Sequence, residues 1–250
     1  VKTYFTLKVY LNKEPKILSF GLADCSQEIT DVFRIRFEEY SRRGYINTSF
    51  FPNRLEKDEY DENPNTVYFI TKIDDRVIGC IRLIKDDILP TEKFFVFAEP
   101  ELMRNIPKGR RAELSRFIIV PPDRDKKIFL PRNLIMLFMI KTLVKYGVEN
   151  GLDGGYVFLK SSLSKKFAKI MLPIHRIEVF KLLYPETGFM YPYFHQEDDP
   201  VAPFFYVTSE VKNYITRITD RTLIFRKFDD QDFVLKNNLY TRFLKAVNVI

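Results

Sequence analysis

Tryptophan is absent from the 250 residues, and cysteine, histidine and glycine are scarce, with two, two and nine copies. Cys25 and Cys80 lie too far apart for a metal-ligand pair and are too few for a disulfide framework, so both are expected as reduced thiols. With His175 and His195 as the remaining soft ligands, no metal site is expected. The glycine shortage argues against glycine-rich cofactor cradles and low-complexity linkers. There is no Gly-x-Ser-x-Gly elbow, P-loop, dinucleotide fingerprint or His-Glu-x-x-His pair, which removes most hydrolase and NTPase readings. Long hydrophobic runs are missing too. The longest, Leu134 to Ile140, falls far short of the roughly 20 residues of a membrane span. The first residues carry no signal-peptide pattern, and a cytoplasmic protein with no transmembrane segment is the expectation.

What the chain does have is apolar and aromatic mass. It is 46% hydrophobic, with 24 Phe and 14 Tyr, enough for one well-packed core and a small appendage. Forty Lys and Arg against 33 Asp and Glu leave a net charge of +7, which suits an acidic partner without naming one.

The pattern predicts an opening hairpin, Thr3 to Tyr10 and Lys16 to Phe20, turning at 12–15. A helix capped by Asp24 or Ser26 follows, with Ile29, Val32, Phe33 and Phe37 at helical spacing and Gly44 as its stop. Thr66 to Ile73 and Val77 to Ile84 flank a turn at Asp74-Asp75-Arg76, and Glu113 to Val120 reads as a further strand. Pro131 opens a helix to about Asn150 that is apolar nearly all round. A strand at Gly155 to Leu159 and a helix at Ser161 to Met171 come next. This order describes an α+β fold with a mixed sheet, residues 1–175 forming the core and 176–250 a C-terminal extension packed on it. Within the extension, helices are expected over Ser209 to Thr219 and Asp230 to Val247.

Charge in strand-forming contexts is the most informative feature. Alternation along Glu113 to Val120 puts Glu113, Ser115 and Phe117 on one face and Leu114, Arg116 and Ile118 on the other. A buried carboxylate or guanidinium needs a partner. Arg82 in the preceding strand and Asp58 and Asp61 in the 53–65 loop supply opposite charges for a buried cluster. Such a cluster either fastens the loop to the sheet or organises a site.

Arg36-Phe37-Glu38-Glu39-Tyr40 with Gly44-Tyr45, then Asp58-Glu59-Tyr60-Asp61, Gly79-Cys80-Ile81-Arg82-Leu83 and Glu113-Leu114-Ser115-Arg116-Phe117 follow one another in this order. Over Phe33 to Met171 the chain thereby resembles the autoinducer synthases and their relatives, the long-chain N-acyl amino acid synthases. The resemblance implies a GCN5-related N-acetyltransferase-like fold, with a central sheet splayed open and flanked by helices, where acyl donor and amine meet. It also implies substrate contacts from Arg36, Tyr40, Tyr45, Asp58, Asp61, Arg82, Arg116 and Phe117. Autoinducer synthases carry a tryptophan where this chain has Tyr45, on the face that handles S-adenosylmethionine. The departure favours an N-acyl amino acid product over a homoserine lactone, with lactone synthesis from S-adenosylmethionine as the alternative.

Coenzyme A enzymes of this fold seat the pyrophosphate on a glycine-rich turn of bare N–H donors. The corresponding stretch here, 121–132, has no glycine and three prolines. The expected donor is therefore the acyl-phosphopantetheine of acyl carrier protein, with no tightly bound cofactor. Arg124, Lys126, Lys127 and Arg132 would face that acidic carrier, the plain alternative being a solvated loop. Attack of a small amine or amino acid on the thioester needs a base and an oxyanion site. Glu113 is the candidate base, Ser115 orients acceptor or leaving thiol, and backbone N–H groups near Phe117 and Ile118 would hold the oxyanion. A non-catalytic basic module that grips nucleic acid is the competing reading. The basic residues are spread along the chain and no nucleic-acid motif is present, so no nucleic-acid partner is expected.

Overall fold

The computed structural model describes residues 2–11, 14–121, 132–220, 225–227 and 231–235. The chain opens with the hairpin β1 (Lys2–Leu11) and β2 (Glu14–Leu22), then α1 (Ser26–Arg42). The hairpin β3 (Val67–Ile73) and β4 (Arg76–Ile84) follows, then α2 (Pro90–Phe94), β5 (Phe95–Phe97), α3 (Glu101–Arg104) and β6 (Arg111–Ile119). Next come α4 (Arg132–Glu149), β7 (Gly154–Lys160), α5 (Ser161–Lys169), β8 (His175–Arg176) and β9 (Phe180–Leu182). The chain continues through α6 (Tyr191–Phe194), β10 (Val201–Val207), α7 (Thr208–Thr219), β11 (Phe225–Lys227) and β12 (Asp232–Leu235).

Among the described residues, ten strands form one mixed sheet in the order β11-β12-β1-β2-β3-β4-β6-β7-β10-β8, while β5 and β9 pair separately. Neighbours in the large sheet are antiparallel except β1 with β12 and β6 with β7. One face packs on α4 and α7, where Phe138 meets Phe20 and Phe233. The other packs on α1 and α6 through Phe33, Tyr68 and Phe158. The mixed α+β sheet flanked by helices is the GCN5-related N-acetyltransferase-like architecture.

Three local expectations are corrected. The N-cap of α1 is Cys25, not Asp24 or Ser26; Glu28 Oε2 accepts the backbone N–H of Asp24 at 3.2 Å and ties the first turn from inside the helix. Within the expected C-terminal helix, Asp232–Leu235 is instead a strand. Its backbone continues the sheet beside β1, with Thr6 N–H donating to the Gln231 carbonyl at 2.9 Å, and Phe233 enters the core against Phe5 and Phe138. Residues 230 and 236–247 of that expected helix, and the 12–13 turn, lie outside the described residues. The segment after residue 175 also supplies a full strand of the central sheet, since β10 pairs with β7 from Val201 opposite Lys160 to Val207 opposite Gly154.

The third correction concerns β6. Arg82 pairs with Ser115 and Cys80 with Ile118, so β6 spends one more residue than β4 over that interval. The extra residue is a bulge, and Arg116 sits in it at φ 57°. Simple alternation therefore fails past Ser115. Ile118 joins the α1 face with Glu113 and Ser115, whereas Phe117 turns to the α4 face and meets the Phe167 ring at 6.3 Å. Arg116 is aimed at the 53–65 loop beside Arg82 instead of opposite it.

Beside this bulge the sheet opens. The β6–β7 ladder runs only from Arg111 opposite Gly154 to Glu113 opposite Tyr156, after which the two strands diverge. Just before the opening they approach so closely that a Cβ on Gly155 would lie 1.7 Å from the Ala112 carbonyl oxygen, which excludes any larger residue. No helix among the described residues is long and apolar enough to cross a membrane.

Candidate active site at the sheet opening

Three arginines from three elements converge under the 53–65 loop. Arg36 on α1 donates to Glu56 through Nε, and its two terminal nitrogens fork onto Asp61 at 2.9 and 2.7 Å. Arg82 on β4 reaches Asp58 at 2.5 and 2.8 Å and Asp61 at 2.8 Å. Arg116 bridges Glu56 at 2.8 Å and Asp58 at 2.7 Å. The loop presents these acids through a tight turn in which Asp58 accepts the Tyr60 N–H and Asp61 accepts the Asp58 N–H. Three guanidinium groups meet three carboxylates, so the cluster is neutral as a unit. Burial alone would push these carboxyls up; the guanidinium groups beside them outweigh it and hold Glu56, Asp58 and Asp61 below the usual carboxylate range.

A cavity of about 270 Å³ passes through the opening between β6 and β7. On the α1 side its walls are polar and aromatic, with Tyr40, Tyr45, Ser115, Arg116, Lys160 and Tyr193. On the α4 side they are apolar, including Met136, Ile140, Leu143, Phe167, Leu172 and Val211. Ser115 Oγ accepts from Arg82 Nε at 3.0 Å, which leaves its own proton for the cavity. Tyr45 packs edge-on against Tyr40 and Tyr193, and burial pushes the Tyr40 hydroxyl up to about 12, so it stays a neutral donor. Past Glu113, the β6 backbone on the β7 side has no ladder partner, and that is where a thioester oxyanion would find N–H groups.

Arg36, Asp58, Asp61, Arg82 and Arg116 are thus brought together, and Tyr40, Tyr45, Ser115, Arg116 and Phe117 line the cavity. Glu113 is not on the cavity wall. It is wholly buried on the same strand face as Ser115, its Oε2 accepting the Thr91 N–H at 2.8 Å while Oε1 has no partner. Burial pushes its carboxyl up to about 8. Tyr156 Oη is likewise buried without a hydrogen-bond partner, the Thr91 hydroxyl lies against the Glu113 carboxyl, and Tyr156 adjoins it too. Arg132 is exposed at the start of α4 and lines the cavity rim. Arg124, Lys126 and Lys127 lie outside the described residues.

Sequence reasoning missed Glu56, Lys160 and Tyr193. Glu56 had a signal: three buried arginines set against Asp58 and Asp61 alone leave one positive charge uncompensated, so a third acid was required. Lys160 had one too, because alternation from Tyr156 through Phe158 carries it to the inward face. Tyr193 comes from the aromatic stretch after residue 184, whose path no local pattern sets.

Residues 31–153 match the family model described as N-acyl amino acid synthase FeeM. No curated protein matches the sequence significantly. Among solved structures, the fold is similar to that of FeeM, an N-acyl amino acid synthase from uncultured soil microbes, at 18% identity and a TM-score of 0.54, over 80% of this chain and 94% of that one. It is also similar to the AHL synthase LasI, at 17% identity and a TM-score of 0.52, over 77% and 90% of the two chains. The CoA-dependent acyl-homoserine lactone synthase BjaI gives 16% identity and a TM-score of 0.51, over 90% and 93%.

Proposed function

We propose that this acyltransferase, which resembles the N-acyl amino acid synthases, moves an acyl group from the phosphopantetheine thioester of acyl carrier protein to the α-amino group of an amino acid. The observation that carries the reading is the single cavity that joins a polar, tyrosine-lined chamber to an apolar channel through the sheet opening. Such a cavity suits a reaction between a small polar amine and a long apolar acyl chain. The acyl tail lies along α4, the thioester carbonyl sits at the opening, and the amine approaches from the α1 side. Unladdered N–H groups of β6 stabilise the oxyanion, and Ser115, held by Arg82, donates to the departing thiolate.

The amine must lose a proton, and the ionised fraction of Glu113, which grows as pH approaches about 8, accepts it through ordered water, since its carboxyl is off the wall. The unpartnered Glu113 Oε1 and Tyr156 Oη, with the Thr91 hydroxyl against the same carboxyl, are polar atoms with capacity for such a relay. The neutral arginine–carboxylate cluster holds the bulge and Ser115 in place. On the donor side, the glycine-free 121–132 stretch and the exposed Arg132 favour a carrier protein over a pyrophosphate cofactor.

The test is acyl transfer from acyl carrier protein and, separately, from acyl-CoA to each of the twenty amino acids and to S-adenosylmethionine, followed by mass spectrometry. An N-acyl amino acid formed faster from the carrier supports the reading. A homoserine lactone, or equal use of acyl-CoA, overturns the acceptor or the donor respectively.

A further inference from the structure

The reaction proposed above brings a carboxylate into a largely buried chamber, and that charge needs a counter-cation. The arginine cluster does not offer one. Arg36, Arg82 and Arg116 are matched by Glu56, Asp58 and Asp61, and Arg43, at the polar mouth, is held by Glu39 at 2.6 Å. Arg132 and Lys166 stand exposed on the rim.

Lys160 differs from all of these. It ends β7 on the α1 face, lines the cavity, and is only 4% exposed. Its Nζ has no hydrogen-bond partner. Asp199, the stronger of two acids in its field, is itself taken up by the Ser162 N–H and hydroxyl, both at 2.7 Å; Asp198 is exposed. What holds the ammonium in position is a pair of rings, Tyr193 at 4.7 Å and Tyr45 at 5.3 Å from Nζ. Rings fix a cation without using its N–H groups, so three donors remain for a ligand. A buried, unpartnered lysine held this way in a substrate cavity is costly unless an anion completes it.

We propose that Lys160 binds the carboxylate of the acceptor amino acid, and so selects amino acids over plain amines. The inference rests on the proposed acyl transfer to an amino acid and assigns the recognition within it. Across the opening, β6 carries Ser115 on the same face, so a carboxylate on Lys160 leaves the α-amino group directed towards the thioester.

The test compares whichever amino acid is taken with its decarboxylated amine, measuring kcat/KM for both in wild type, Lys160→Met and Lys160→Arg. Wild type prefers the acid. In Lys160→Met the acid-to-amine ratio falls by about a hundredfold, mainly through KM for the acid, as loss of a charged hydrogen-bond partner implies; Lys160→Arg keeps most of the preference. An unchanged ratio in Lys160→Met overturns the assignment. So does a fall in kcat that strikes acid and amine equally, which would place Lys160 in proton transfer, or a rise confined to the donor KM, which would place it on the phosphopantetheine phosphate. A wild type that acylates amines without regard to the carboxylate overturns the anchor and leaves acyl transfer standing. If wild type acylates no amine, the functional reading fails, and calorimetry of the amino acids against wild type and Lys160→Met decides the anchor. Binding lost in the variant upholds it; equal or absent binding overturns it.

Discussion

Arg82 Nε donates to Ser115 Oγ at 3.0 Å, while the other two nitrogens of the same guanidinium hold Asp58 and Asp61. One side chain therefore links the loop that covers the site to a hydroxyl inside the cavity. Arg82→Met leaves two arginines facing three buried carboxylates. It should cost about 3–5 kcal/mol, read as a lowered urea midpoint. The double variant Arg82→Met, Asp58→Asn should recover part of that loss, because the excess charge goes with the second change. Full additivity of the two single effects would show that the cluster is not a unit.

Glu113→Gln should fold, and its turnover should drop by about a hundredfold or more if the carboxyl takes the amine proton. The same variant has a thermal signature. With its pKa raised to about 8 in the fold, the Glu113 carboxyl favours the folded state while protonated and works against it once ionised. The Tm of wild type relative to Glu113→Gln should therefore decline as pH rises from the ordinary carboxylate range through about 8. A Tm difference independent of pH would mean that the group is solvated.

Lys160→Met should raise Tm at neutral pH, since it removes an ammonium that burial holds down at about 8 against the ordinary 10.5 of a lysine. Below the folded pKa the wild type carries the cost of the buried charge, and above the unfolded one it carries none. The advantage of the variant is thus full at pH 7, fades as pH rises from about 8 and is gone above 10.5. Thermal melts across that range check both the sign and the window.

Val211 reaches the apolar part of the cavity from α7 and is buried. Val211→Phe should shorten the acyl chains found in the product, read by mass spectrometry from a mixture of acyl donors. An unshifted chain-length distribution would place the tail elsewhere.

The strands β3, β4, β6 and β7 were legible in the sequence as apolar and β-branched runs between turn signals, α1 by its helical spacing, and α4 as a long apolar run opened by Pro131. The charged cluster was legible because buried charges must pair. The bulge was not: Arg116 at positive φ has no signature in a run such as Leu114-Ser115-Arg116-Phe117-Ile118, and missing it exchanged the faces of Phe117 and Ile118. β12 was also hidden. Asp232 to Leu235 has no alternation long enough to announce a strand, and what orders it is an edge of β1 more than 220 residues away in sequence. Glu113 was found by its strand context, but its distance from the cavity depends on how Thr91 and Tyr156 pack, which no local pattern records.

That remote pairing sets a folding order. Thr6 waits for Asp232, so during synthesis the outer edge of β1 stays open while nearly the whole domain is being made. Contacts of such long sequence separation form late, and an open strand edge is a template for a second chain. Losses during expression or refolding should therefore trace to this edge, far from the opening between β6 and β7 where the chemistry is placed.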